Sequence, residues 1–228
     1  MKNILLLPYF LLLAALLLIH PATTPAQGWV RFITPANIYG DVADAVPHPG
    51  GGVVVVFTAN SQVQLAHYNV NGDLVWQKTV LTPGTAKDMA IGANGLPSVL
   101  SLDLTSTKMV LSHFDWQGNA LGSKVLDEYK SGNGKPQLVA FPGGGYSSIL
   151  TYRDNPATPP TILALHRYDA GDSLLWRSGV DTLVSPPGWE NVGVGVNAQG
   201  QSIVGTRIGF GANVKYRLTA FNAQGDSM

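Results

Sequence analysis

One short pattern is copied four times along this chain, and that repetition restricts the fold more than any other feature. YNVNGDLVW at 68–76 returns as YDAGDSLLW at 168–176 and, less closely, as FDWQGNALG at 114–122, while FNAQG at 221–225 opens a copy that the last residue cuts short. Gly72, Gly118, Gly171 and Gly225 mark the copies at a period of roughly fifty residues, the size of one supersecondary unit that buries its apolar face against the next. Each copy also has an upstream turn rich in glycine or asparagine: PGGG at 49–52, ANG at 93–95, PGGG at 142–145 and NAQG at 197–200. Glycine and asparagine accept the positive φ that tight hairpins need.

Between the turns the period is two. Val53 to Phe57 is a continuous apolar, β-branched run, as in a strand covered on both faces. Val63, Leu65 and His67 alternate with Gln62, Gln64 and Ala66, and Val214, Tyr216 and Leu218 alternate with Lys215, Arg217 and Thr219. The unit reads as a four-stranded antiparallel meander, so the fold is all-β, a propeller-like array of four blades. The segment WVRFI at 29–33 matches the fourth strands WQKTV at 76–80 and WRSGV at 176–180, and is expected to complete the last blade and close the ring. A chain that stops inside its own motif reads equally well as a piece of a longer array, of about six to eight blades.

Residues 1–26 read as a cleaved signal peptide: Lys2 supplies the positive start, residues 4–19 the apolar stretch, and Thr24 and Ala26 the small residues before the cut. The repeat domain is then 27–228, with no transmembrane anchor expected after cleavage and a secreted, periplasmic or cell-surface location. Lys+Arg and Asp+Glu balance at 14 each. A neutral chain lacks the basic footprint that binding to nucleic-acid phosphates requires. With 12% charged and 45% hydrophobic residues it is too apolar for a disordered one. Cysteine is absent, which excludes disulfides, thiolate metal sites and a cysteine nucleophile.

The 68–76 and 168–176 stretches resemble the repeats of secreted β-propeller-like proteins of Bacteroidota and, more loosely, the tryptophan-docking repeats of quinoprotein (PQQ-type) propellers. The resemblance implies that Trp76 and Trp176, with Trp29 at the matching position of 29–33, dock each blade against its neighbour. Gly122 stands where the second copy should have tryptophan, which implies a weaker contact there. Nothing matches the quinone or calcium ligands of the PQQ dehydrogenases, so their activity is not carried over.

Candidate chemistry is sparse. His67, His113 and His166 stand at one spacing before Gly72, Gly118 and Gly171. Equivalent positions on neighbouring blades lie too far apart for shared zinc ligation, so they read as half-buried imidazoles bonded to a neighbouring blade. Asp44, Asp88 and Gln137 stand at one spacing before Gly51, Gly95 and Gly144, with Asn191 as a fourth equivalent. Innermost strands converge at one mouth of the central channel, where such oxygens could bind a polar ligand or a hard cation, calcium being the cofactor considered. Trp116 and Trp189 fall outside the docking position and suit either sheet-edge cover or contact with a sugar or protein. P-loop, nucleophile-elbow and HExxH motifs are absent. The function expected is an exported, non-catalytic binding or scaffold module with a protein or glycan partner. The alternatives are a fragment of a longer cell-surface protein, or a glycoside-active or lyase enzyme with its site at the channel mouth.

Overall fold

The apolar runs and glycine turns fold, in a computed structural model, into fifteen antiparallel strands and no helix among the described residues, which are 40–128, 136–152, 161–183, 193–208 and 215–228. These all belong to one compact unit, 32–228. The signal peptide, strand 29–33, Trp29, Trp189 and Asn191 lie outside the described residues.

Three sheets are four-stranded meanders. The first holds β1 (Gly40–Pro47), β2 (Val53–Ala59), β3 (Gln62–Tyr68) and β4 (Leu74–Leu81). The second holds β5 (Gly84–Ile91), β6 (Pro97–Asp103), β7 (Lys108–Phe114) and β8 (Ala120–Glu128). The third holds β9 (Gln137–Ala140), β10 (Tyr146–Tyr152), β11 (Thr161–Tyr168) and β12 (Leu174–Leu183). A fourth sheet has three described strands, β13 (Gly193–Val196), β14 (Ser202–Ile208) and β15 (Lys215–Phe221). First strands touch in series, β1 with β5, β5 with β9 and β9 with β13, whereas β4, β8 and β12 make no comparable contact with one another among the described residues. Sheets that meet along one edge and spread at the other form the blades of a propeller-like array.

The core lies between blades, because an antiparallel sheet of this kind hides its apolar face on the next one. Val54, Val56 and Leu65 of the first blade pack with Met89, Val99 and Phe114 of the second. Leu100, Met109 and Leu111 pack with Leu138, Tyr146 and Leu150 of the third. Ile149, Leu163 and Leu165 pack with Val204 and Phe221 of the fourth. Each such side chain contributes about 1.5–3 kcal/mol when buried, so the array is held mainly by its seams. On β15, Tyr216 (79% exposed) and Leu218 (73%) are open to solvent.

The same bulge recurs near the start of β4, β8 and β12. Pairing jumps there from Leu74 to Trp76, from Ala120 to Gly122 and from Leu174 to Trp176. One extra residue re-aims the strand, leaving Val75, Leu121 and Leu175 exposed. It also sets the partners, placing Trp76 opposite His67, Gly122 opposite His113 and Trp176 opposite Arg167. The third copy is therefore shifted by one from the alignment on glycines. Arg167, not His166, is the equivalent of His67 and His113.

Candidate functional site: the seam between the second and third blades

The turn between the third and fourth strands of each blade closes on one backbone bond. Gly72 donates to the Asn69 carbonyl (2.9 Å), Gly118 to Asp115 (3.0 Å), Asp172 to Asp169 (3.0 Å) and Gly225 to Asn222 (3.1 Å). An Asn or Asp opens every turn because its side-chain oxygen accepts two further backbone N–H groups, those of Asn71 and Asp73 at Asn69 and those of Gly171 and Ser173 at Asp169. The closing residue is left-handed, with φ of 78°, 76°, 60° and 94° at Gly72, Gly118, Asp172 and Gly225. Asp172, and not Gly171, thus occupies the third blade's glycine position. Aspartate is among the few L-residues that enter this region at modest cost.

That glycine is where the neighbouring blade docks. Trp76 of β4 lies so close over Gly118 that a Cβ there would stand 2.8 Å from the indole. Trp176 of β12 lies over Gly225 in the same way, at 2.7 Å, and its indole N–H donates to the Ala223 carbonyl (2.9 Å). Ser178 donates to the Gly225 carbonyl beside it. Arg167 reaches across the same seam to the Gly200 carbonyl (3.2 Å) with its guanidinium over the Phe141 ring. Burial lowers its pKa to about 10, which still leaves it charged at neutral pH.

Between the second and third blades both partners are replaced. Gly122 stands at the tryptophan position with nothing within 4 Å of where a Cβ would be, and Asp172 stands at the glycine position. A polar chain fills part of the seam: His113 Nε2 is 2.7 Å from Asp172 Oδ2, its Nδ1 is 2.8 Å from Ser98 Oγ, and Ser98 Oγ is 2.6 Å from Tyr146 Oη. Lys124 Nζ donates to the Gly171 carbonyl and to Ser173 Oγ, both at 3.2 Å. Asp172 Oδ1 is buried with no hydrogen-bond partner among the described residues. Burial pushes the Tyr146 phenol above its usual range, with the Asp172 carboxylate adding to the rise and the Ser98 bond opposing it.

A third change makes room for this chain. Gly92 opens the turn between β5 and β6, at the position held by His48, Phe141 and Asn197 in the other blades. A Cβ on it would stand 2.5 Å from Tyr146 Oη. Above lies a cavity of about 460 Å³ lined by Ala93, Asn94, His113, Tyr146, Ala170 and the turn 142–145.

Asp44 and Asp88 each follow a bulge in the innermost strand of their blade. Asp88 Oδ2 accepts from the Leu138 N–H of the next blade (2.7 Å), and Gln137 Oε1 accepts from the Val194 N–H of the one after (3.1 Å). The inner oxygens of these two residues thus bond blade to blade. Among the described residues no three His, Cys, Asp or Glu side chains are grouped as metal ligands. His67 Nε2 donates to its own blade's turn at the Gly51 carbonyl (3.2 Å), and its ring is stacked at 3.9 Å on His48. His48 Nδ1 accepts from Gly50 N–H, so Nε2 carries the proton given to the Trp116 carbonyl (3.3 Å). Burial, then the neighbouring His67, lowers the His48 pKa. Sequence reasoning missed Ser98, which pairs with His113 across β6 and β7, and Tyr146 and Asp172, which the next blade brings to it across the seam.

No family model matches the sequence, and no curated protein matches it either. Among solved structures it is similar to a protein of unknown function from Bacteroides caccae, at 9% identity over 82% of this chain and 79% of that one, TM-score 0.39. It is also similar to the tricorn protease, at 9% identity, 79% and 18% coverage, TM-score 0.49. Puromycin hydrolase gives 11% identity, 80% and 27% coverage, and TM-score 0.43. The chain spans about a quarter or less of these two enzymes. At such distances the fold rests on the chain's own sheets and seams, an all-β propeller-like array.

Proposed function

We propose that the chain is an exported, non-catalytic binding or scaffold module whose ligand sits in the seam between the second and third blades. One observation carries this reading: tryptophan, glycine and a bulky turn residue are exchanged together for Gly122, Asp172 and Gly92, and a cavity with mixed polar and apolar walls lies at that seam. A cleft with convergent polar groups at an interface between units is where ligands are usually held. Catalysis is not favoured. The line Ser98–His113–Asp172 has the residue types of an acyl-transfer triad, but Ser98 is 2% exposed and its hydroxyl is capped by Tyr146, which leaves no approach for an electrophile. Export follows from the signal-like residues 1–26, and a surface glycan or protein is the partner class proposed.

The test is a glycan and surface-protein array probed with the chain and with Gly92→Ala. The added methyl displaces Tyr146 Oη, so binding should fall at least about tenfold, as expected when a polar site is misplaced. Equal binding by both proteins would contradict the seam as the site. A calcium-dependent rise in melting temperature, lost in Asp44→Asn plus Asp88→Asn, would move the ligand to the channel mouth.

A further inference from the structure

Resting on that reading of the seam as a binding site, we infer that its ligand presents a hydrogen-bond donor, an ammonium or a hydroxyl group, to Tyr146 Oη. The Asp172 carboxylate can only accept, so at 2.7 Å His113 Nε2 must carry the hydrogen. In a neutral imidazole Nδ1 is then a bare lone pair, and the bond at 2.8 Å has Ser98 as donor. Ser98 has one hydrogen and has used it, so the 2.6 Å contact has Tyr146 as donor. Tyr146 has one hydrogen too. What its oxygen can offer beyond the chain, beside the Ala93 and Asn94 rim, is a lone pair.

The charged surroundings agree. Among the described residues no Asp, Glu, Lys or Arg lines the cavity. The charged groups beside His113 are Asp172, in the turn before β12, and Lys124 of β8, whose ammonium is held by the Gly171 carbonyl and Ser173, while Asp103 of β6, Lys108 of β7 and Glu128 of β8 are paired at the far end of the sheet. Tyr146 of β10 is the remaining titratable group facing it, and β6 contributes the neutral Ser98. A carboxylate or phosphate would therefore set acceptor against acceptor at Tyr146.

The test uses three small probes on the full exported chain, followed by amide NMR shifts of Ala93, Asn94, Gly144 and Ala170: methylammonium (donor alone), methyl glucoside (donor and acceptor) and acetate (acceptor alone). Methylammonium or the glucoside should shift these amides at concentrations at least about tenfold lower than acetate. Ser98→Ala removes the acceptor that engages the Tyr146 hydrogen and should abolish that preference, while a merely structural Ser98 would leave it. Methylammonium binding without the glucoside identifies an ammonium ligand, and the converse a hydroxyl ligand. Acetate bound as tightly as the donors, or more tightly, would overturn the inference while leaving the seam a ligand site. If no probe shifts these amides, the seam reading itself falls, and this inference with it.

Discussion

Gly145→Ala should destabilise the array by more than about 3 kcal/mol, since it joins a left-handed L-residue costing about 1–2 kcal/mol to a hard steric clash. Gly145 has φ +85°, and a Cβ there would stand 2.2 Å from the Tyr168 carbonyl oxygen. The struck atom is backbone, and it cannot retreat without breaking the pairing of Tyr146 with Tyr168 and the bond from Phe141 N–H to the Gly145 carbonyl. The neighbouring Gly143 is the control: it is not left-handed, and a Cβ on it meets nothing within 4 Å. Gly143→Ala should stay within about 0.5 kcal/mol of wild type, as for ordinary surface changes. Urea unfolding midpoints of the two variants check this, and equal midpoints would refute the placement of the turn. Gly52 repeats the geometry in the first blade, at 2.0 Å from the Tyr68 carbonyl oxygen.

Trp176→Ala should cost about 3 kcal/mol, the low end of the range for aromatic-to-alanine changes because the indole is only partly buried. The loss has two parts. The ring leaves the face of Gly225 and the cluster of Leu163, Val204 and Phe221, and the Ala223 carbonyl loses its donor. Trp176→Phe separates them: it keeps most of the ring contact and forfeits the N–H bond, which is worth about 1 kcal/mol. Thermal melts should order the proteins wild type, Phe, Ala. A Phe variant as damaged as the Ala variant would mean that the bond, not the packing, holds the seam.

The repeat and its strands could be read from the chain because both are local: turn glycines recur at a fixed period and apolar residues alternate between them. The docking role given to Trp76 and Trp176 came from the resemblance, and the structure sets both rings on the next blade's turn. Within the polar site Ser98 and His113 face each other across one hairpin, but Tyr146 and Asp172 come from the next blade and join them only when blades are stacked, so the site could not be read. Gly171 also misled the alignment. The turn is measured from the aromatic residue before it, and Tyr68, Phe114, Tyr168 and Phe221 all stand at one distance from the left-handed residue. Counting from those aromatics would have put Asp172 in register and exposed its exchange for glycine. Asp88 and Gln137 were sorted correctly as equivalent positions, but a single chain gives no means of telling an oxygen that faces a channel from one that bonds the next blade's backbone.

In the second seam both halves of the docking pair are exchanged, and putting both halves back tests this most directly. Gly122→Trp, Asp172→Gly and the double variant should be compared by thermal and urea unfolding. With tryptophan restored opposite a glycine, the double variant should be more stable than the two single changes sum to, by at least about 1 kcal/mol of coupling, the size expected for residues in contact. Its new indole should also emit as a shielded ring. Additive effects, with the indole at 122 exposed to water, would contradict the account.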